Sequence, residues 1–150
     1  MEKAEIMEDD EMKAISIRQP YAQVIKRGIK KIETRSWKTS YRGKLYIHAS
    51  ATKMIKADKN NTELMNLAGD EDKIEYGCIL CECNLVDCVE MTEEFISRLK
   101  RENIDEYNSG MYSVGRYAWI LEDVKPVSPI SIKGSLGIWD VEKRIQNKSK

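Results

Sequence analysis

Nowhere in the chain do about 18 apolar residues follow one another without a charge, the length a helix needs to cross a bilayer. No membrane partner is therefore expected. The opening run Met1-Glu2-Lys3-Ala4-Glu5-Ile6-Met7-Glu8-Asp9-Asp10-Glu11 has neither the basic leader nor the apolar stretch of a signal peptide, which leads to the expectation of a soluble, cytoplasmic protein. There is one histidine, His48, and no Ser-His-carboxylate arrangement follows from the spacing. The eight glycines are dispersed, so no glycine-rich phosphate loop exists. The four cysteines, Cys78, Cys81, Cys83 and Cys88, fall on what reads as a single strand. Strict alternation would send Cys81 and Cys83 to one face and Cys78 and Cys88 to the other, with the outer pair far apart at about 3.3 Å per residue. That geometry cannot close on one tetrahedral ion. Reduced, buried thiols are expected, with no metal and no other cofactor.

Net charge is also lacking, but only in total. Twenty-five basic and twenty-five acidic side chains cancel over 150 residues, yet they are segregated along the chain. Residues 1–12 hold one basic and six acidic groups, a net of −5, and residues 13–59 hold thirteen and two, a net of +11. Residues 60–124 reverse the sign with five and fifteen, a net of −10, and residues 125–150 hold six and two, a net of +4. If the basic block folded into one contiguous surface, it would present a phosphate-binding face with the acidic block on the other side. Tyr21, Trp37, Tyr41 and Tyr46 are interleaved with it.

With 41% hydrophobic residues the chain is one domain able to bury roughly 70% of its unfolded surface. Residues 1–11 read as a disordered acidic tail, 12–141 as the folded domain and 142–150 as a basic tail. Met12 to Arg18 alternates, placing Ala14, Ser16 and Arg18 on one face and Ile15 and Ile17 on the other, as a strand does. Pro20 then suits a first helical turn, Tyr21, Val24 and Ile25 recur at helical spacing, and Gly28 stops the helix. Strands are predicted over 30–37, 44–50, 77–91 and 116–124. The 77–91 strand is apolar enough for the centre of a sheet. A polar helix is predicted over 51–73, broken near Asn60-Asn61, and a second one capped by Thr92, with Glu93 and Glu94 in its first turn. Pro126 and Pro129 point to an edge or a kinked crossing, and 130–133 and 137–141 finish the sheet. Strands with helices inserted irregularly between them describe an α+β fold, a small mixed β-barrel.

The sharpest constellation is Gly28-Ile29-Lys30-Lys31-Ile32-Glu33-Thr34-Arg35, in which a helix-ending glycine leads into a strand that projects Glu33 and Arg35 from one face. A carboxylate beside a guanidinium is charge-compensated and offers both acceptors and donors to a base or nucleotide. As an exposed pair it would be only a surface salt bridge. These residues resemble the ASCH domain family, whose signature Gly-x-Lys-x-x-Glu-x-Arg is filled by Gly28, Lys30, Glu33 and Arg35. The segments Ser16–Ala22, Ser36-Trp37, Arg42–Leu45, Gly77–Leu80, Val86–Cys88, Lys133-Gly134 and Gly137–Trp139 agree, and Gly115–Trp119 is similar to the form in bacterial and phage members. The resemblance implies a PUA-like barrel with helices packed at its openings. It also implies binding of RNA, or of another single-stranded nucleic acid, in a cleft lined by the signature.

On that reading Arg18, Lys30, Lys44 and Arg116 are candidates for phosphate contacts, and Trp37 and Tyr117 for stacking on unpaired bases. Glu33 and Arg35 would read a base edge or hold each other, His48 would meet a phosphate or a base edge, and Gln19 belongs to the flanking segment of the same cleft. A second reading is an enzyme acting on a modified nucleoside or a nucleic acid strand, of amidohydrolase or nuclease type, with Lys30 and Glu33 as general acid and base. One branch of the family hydrolyses an acetylated cytidine with a lysine and a threonine. Lys30 matches the lysine, and Glu33 stands where that branch has the threonine. A third reading, a module for docking a protein assembly partner, draws on the acidic block and the helix after Thr92.

Overall fold

The computed structural model describes residues 12–143. The expected acidic tail, 1–11, and all but the first two positions of the expected basic tail, 142–150, lie outside the described residues. Six strands form one curled, half-barrel sheet: β1 (Lys13–Ile17), β2 (Ile32–Arg35), β3 (Gly43–Ala49), β4 (Cys78–Glu90), β5 (Tyr117–Ser131) and β6 (Ile138–Asp140), in the order β2-β5-β4-β3-β1-β6. Only β1 and β3 run parallel; every other neighbour is antiparallel. The helices are α1 (Tyr21–Lys26), α2 (Lys56–Lys59), α3 (Thr62–Ala68), α4 (Glu93–Glu102) and α5 (Ile104–Asn108). The α+β class expected from the sequence is the one found. Among the described residues no helix is long and apolar enough to cross a membrane.

The alternation of β1 is realised in two separate cores. Ile15 and Ile17 join Leu45, Ile47, Leu80 and Trp119 inside the curl, while Ala14 joins Tyr46, Ile79 and Trp139 on the opposite face. Helix α1 closes the curl, because Ala22 and Ile25 enter the first core while Val24, on its other side, packs on Leu64 and Ala68 of α3. Gly28, at φ +79°, ends α1 where an L-residue would be strained, and the Gly28 amide donates to Ile25 O at 2.9 Å. Asn61 explains the break in the polar segment 51–73: its side chain accepts from Leu64 N and starts α3 afresh. Residues 51–55 are not helical. Thr92 caps α4 as expected, accepting from Phe95 N at 3.1 Å.

Three departures from expectation share one cause, irregular pairing of the two long central strands. The β4–β5 register shifts at Ile79/Cys81, Glu82/Asn84 and Leu85/Asp87, and Asp123 takes a positive φ of 54° beside the second shift. Bulges of this kind bend strands and raise their twist. They let a 13-residue strand and a 15-residue strand curl together instead of lying flat. First, β5 does not stop at Val124 but continues to Ser131. Pro126 and Pro129 are accommodated because β2 covers β5 only from Tyr117 to Ile120, leaving the rest of that side as an edge. Second, the strand predicted over 130–133 is the end of β5. Third, the shift after Ile79 undoes the strict alternation of the cysteines: Cys78, Cys81 and Cys83 all enter the same core, with Cys88 packed against it. Burial pushes the Cys81 and Cys83 thiols up to about 12.

The charge blocks do not segregate into two faces either. Because β3 from the basic block pairs directly with β4 from the acidic block, Lys44 meets Glu82 at 3.2 Å and Arg42 meets Asp87 at 3.8 Å. Lys26–Glu75, Lys30–Glu106 and Lys59–Glu71 join the same two blocks. Among the described residues, five cations of the +11 block are thus paired with carboxylates of the acidic block.

Candidate functional site

A cleft of about 720 Å³ opens where the C-terminal end of β1, the strand β2, His48 of β3 and the loop before β6 converge. The turn at Gly28 leads into one of its lining residues, Lys30. The amides of Ile29 and Lys30 both donate to Val24 O, and the Lys30 side chain enters the interior directly after that turn. The Lys30 ammonium is not free for a phosphate: it sits 3.2 Å from Glu106 Oε2, with side-chain exposures of 1% and 2%. Glu106 also accepts from the Lys31 amide at 2.6 Å and from the Tyr112 hydroxyl at 2.9 Å. Burial and the neighbouring Glu106 carboxylate push the Tyr112 phenol far up, so it remains a donor. Helix α5 delivers Glu106 from 76 residues away, capped by Asn103, whose side chain accepts from the Glu106 amide at 3.2 Å.

Glu33 and Arg35 do project from one face, with Arg35 Nε 2.9 Å from Glu33 Oε2. Arg35 Nη2 donates in addition to Ser16 O at 2.9 Å, tying β2 across the opening to β1. Glu33 is 7% exposed, and both residues line the cleft. The pair expected for acid–base work, Lys30 and Glu33, is thus already engaged by Glu106 and Arg35.

His48 forms the back wall. Its Nε2 lies 2.7 Å from Ile132 O, which can only accept, so the proton of the neutral ring resides on Nε2. Nδ1 is then the acceptor for the Ser16 hydroxyl at 2.9 Å, and Ser16 Oγ accepts in turn from Trp139 Nε1 at 3.1 Å. Burial holds the imidazole below its ordinary pKa, partly offset by the bond to Ile132 O. Gly134 covers this chain so closely that a Cβ there would collide with Ser16 Oγ and lie 2.8 Å from His48 Cε1.

The lining carries cations and two aromatic rings, Tyr21 and Trp37. Arg18 stacks on Tyr21, 5.2 Å from the ring centroid, and pairs with Asp58 at 3.3 Å as an ion pair rather than an aligned hydrogen bond. Arg116 donates to the carbonyls of Thr34 and Met111, both at 3.2 Å. Neither Arg116 nor Lys133 makes an ion pair among the described residues. Trp37, half-exposed at the rim, is held edge-on against buried Trp119 at 4.8 Å, and Trp119 Nε1 donates to Trp37 O at 3.3 Å.

The cleft therefore gathers Arg18, Lys30, Glu33, Arg35, Trp37, His48 and Arg116. Three other candidates lie outside it. Gln19 is fully buried and structural, donating to Glu75 O and accepting from Gln23 N. Lys44 is spent on Glu82 and the Tyr46 ring, and the Tyr117 hydroxyl reaches Glu90 at 3.3 Å. The candidates read from the sequence did not include Ser16, Asp58, Glu106, Tyr112 or the loop Lys133–Gly137. Ser16, Lys133, Gly134 and Gly137 stood in segments that carry the resemblance, and Glu106 carried a local signal, as the third residue after a capping Asn103. Among the described residues no three His, Cys, Asp or Glu side chains are grouped to hold a metal ion.

The model of the ASCH domain matches residues 15–131, spanning both the signature and the strands that surround it. The chain belongs to the ASCH domain family. Over 143 residues this ASCH domain is 27% identical to activating signal cointegrator 1 of Homo sapiens, and over 145 residues 26% identical to that of Mus musculus. Each alignment covers 91% of the chain but 23% of the relative, so the chain spans about a quarter of the length of the curated relatives it matches. Among solved structures, the ASCH protein of Zymomonas mobilis superposes with a TM-score of 0.54 at 14% identity, covering 92% of this chain and 93% of that one. A single-substitution mutant of the same Zymomonas mobilis protein gives 0.53 at 15% identity, covering 93% and 96%. At such identities the likeness is one of fold.

Proposed function

We propose that this ASCH domain is a nucleic-acid-binding module that seats an unpaired nucleotide of RNA in the cleft. The fold belongs to a PUA-like group associated with RNA binding. The observation that carries the reading is Trp37, a half-exposed indole fixed by Trp119 at the rim of a cleft whose polar groups include Glu33 and Arg35. A rigid aromatic face stacks on any base, while a few convergent donors and acceptors orient it. Phosphates would be met by Arg116 and Lys133 at the mouth, since the other cations of the site already have carboxylate partners. Two such contacts to a single strand give a salt slope of only about 1.4, at about 0.7 per phosphate.

Binding of single-stranded RNA, single-stranded DNA and duplex RNA across a salt series tests this. The expected result is preference for single-stranded RNA, a shallow salt dependence, and loss of about 5- to 100-fold in affinity for Trp37→Ala, the range of one stacked base. Absence of binding to every nucleic acid at low salt, or a Trp37→Ala variant that binds as tightly as wild type, would overturn it.

A further inference from the structure

Leu136 is the most exposed large apolar residue among those described, at 98%, and it stands at the edge of the cleft. A leucine on a loose surface loop needs no explanation. This loop is short and pinned at both ends. On one side the Ile132 amide donates to Gly77 O at 3.1 Å, the Ile132 carbonyl accepts from His48 Nε2, and Gly134 is wedged against Ser16 and His48. On the other side Ile138 pairs with Ile15 in the β6–β1 ladder, and Gly137 makes its turn at φ +65°. The backbone that carries Leu136 is thereby fixed on both sides beside the opening, with Lys133 in the same loop and Trp37 also on the lining.

We propose that Leu136 is a wedge for structured RNA: the ligand carries stacked bases on both sides of one extruded nucleotide, and Leu136 enters the step that nucleotide vacates as it moves into the cleft. The inference rests on the RNA-binding reading and narrows it to a class of RNA, a helix with a bulged or looped-out nucleotide. A cleft of about 720 Å³ is the size of a pocket for one small ligand, too small for a run of stacked bases. One base must therefore leave its neighbours. Unstacking costs free energy, and an apolar side chain filling the gap recovers part of it. Lys133, three residues before the wedge, stands where the backbone of the parted strand would pass, and Arg116 supplies a second phosphate contact.

The test uses a hairpin RNA with a single bulged 2-aminopurine and a single strand of the same sequence, titrated with the wild-type chain and with Leu136→Ala and Leu136→Met. Wild type should change the 2-aminopurine fluorescence of the hairpin on binding, and Trp37→Ala, which removes the quenching indole, should leave the seated base brighter than wild type does. Leu136→Ala should lose about tenfold more affinity for the hairpin than for the single strand, and Leu136→Met should recover most of the difference. An equal loss on both RNAs, or no loss on the hairpin, overturns the wedge. Binding of the single strand by wild type with none of the bulged hairpin overturns the wedge alone. Failure to bind either RNA overturns the RNA-binding reading beneath it.

Discussion

Glu33 and Arg35 show how far a two-residue spacing can be read. Alternation along a strand is enough to place both on one face, and their contact at 2.9 Å follows. What alternation does not contain is the second bond of Arg35, to Ser16 O, which makes the guanidinium a brace between β2 and β1 as well as a donor into the cleft. Arg35→Ala removes that brace and leaves a 7%-exposed carboxylate without its partner. It should weaken RNA binding by more than about tenfold, beyond what one exposed charge would account for. Glu33→Gln keeps the shape and an acceptor oxygen and should change binding by less than about threefold. Equilibrium titration of both variants checks the order. If the domain instead turned over a nucleoside with Glu33 as its base, Glu33→Gln would bind normally and lose about 10²- to 10⁴-fold in rate.

At the scale of elements, β1, β2, β3, α1 and the start of α4 were legible because each is specified locally: alternation in β1 and β2, strand-forming residues in β3, helical spacing before Gly28, a capping Thr92. The curl of β4 and β5 was not, since bulge positions depend on how two strands accommodate each other over their whole length. The placement of α5 was equally hidden. Its five residues make an ordinary short helix, and nothing near residue 106 announces that its carboxylate will meet a lysine at position 30. That contact nevertheless holds Lys30, one of the residues lining the cleft. Glu106→Gln keeps an acceptor for the Lys31 amide but strands the Lys30 ammonium in a site of 1% exposure. Breaking a buried pair in this way should cost about 3–5 kcal/mol of stability. Urea denaturation with an unchanged m-value would measure it, and the Tyr112 contact would be lost together with the pair.

For the whole molecule, segregated charge in the sequence becomes paired charge in the fold, because consecutive strands of opposite sign lie side by side in the sheet. The pH response is then shaped by the single histidine. The folded-state pKa of His48 lies below its ordinary 6.5, so the unfolded chain binds the extra proton first as pH falls. Its contribution to stability is fully present above about pH 6.5 and is lost as pH drops through the folded value. Thermal unfolding of wild type and His48→Gln at about pH 8 and about pH 5.5 should show the stability difference between them shrinking at the lower pH; an unchanged difference would refute the lowered pKa of the buried ring. Finally, β1 and β6 run antiparallel at the rim of the sheet, with Lys13 opposite Asp140 and the Val141 amide on Met12 O. The two ends of the fold therefore leave from the same corner, and tension applied between them would load the β1–β6 hydrogen bonds one after another, as a zipper is opened, instead of shearing them all at once. The first strand to peel away carries Trp139, the donor that holds Ser16, so a modest mechanical pull would dismantle the back of the cleft while the β3–β4–β5 centre stayed folded.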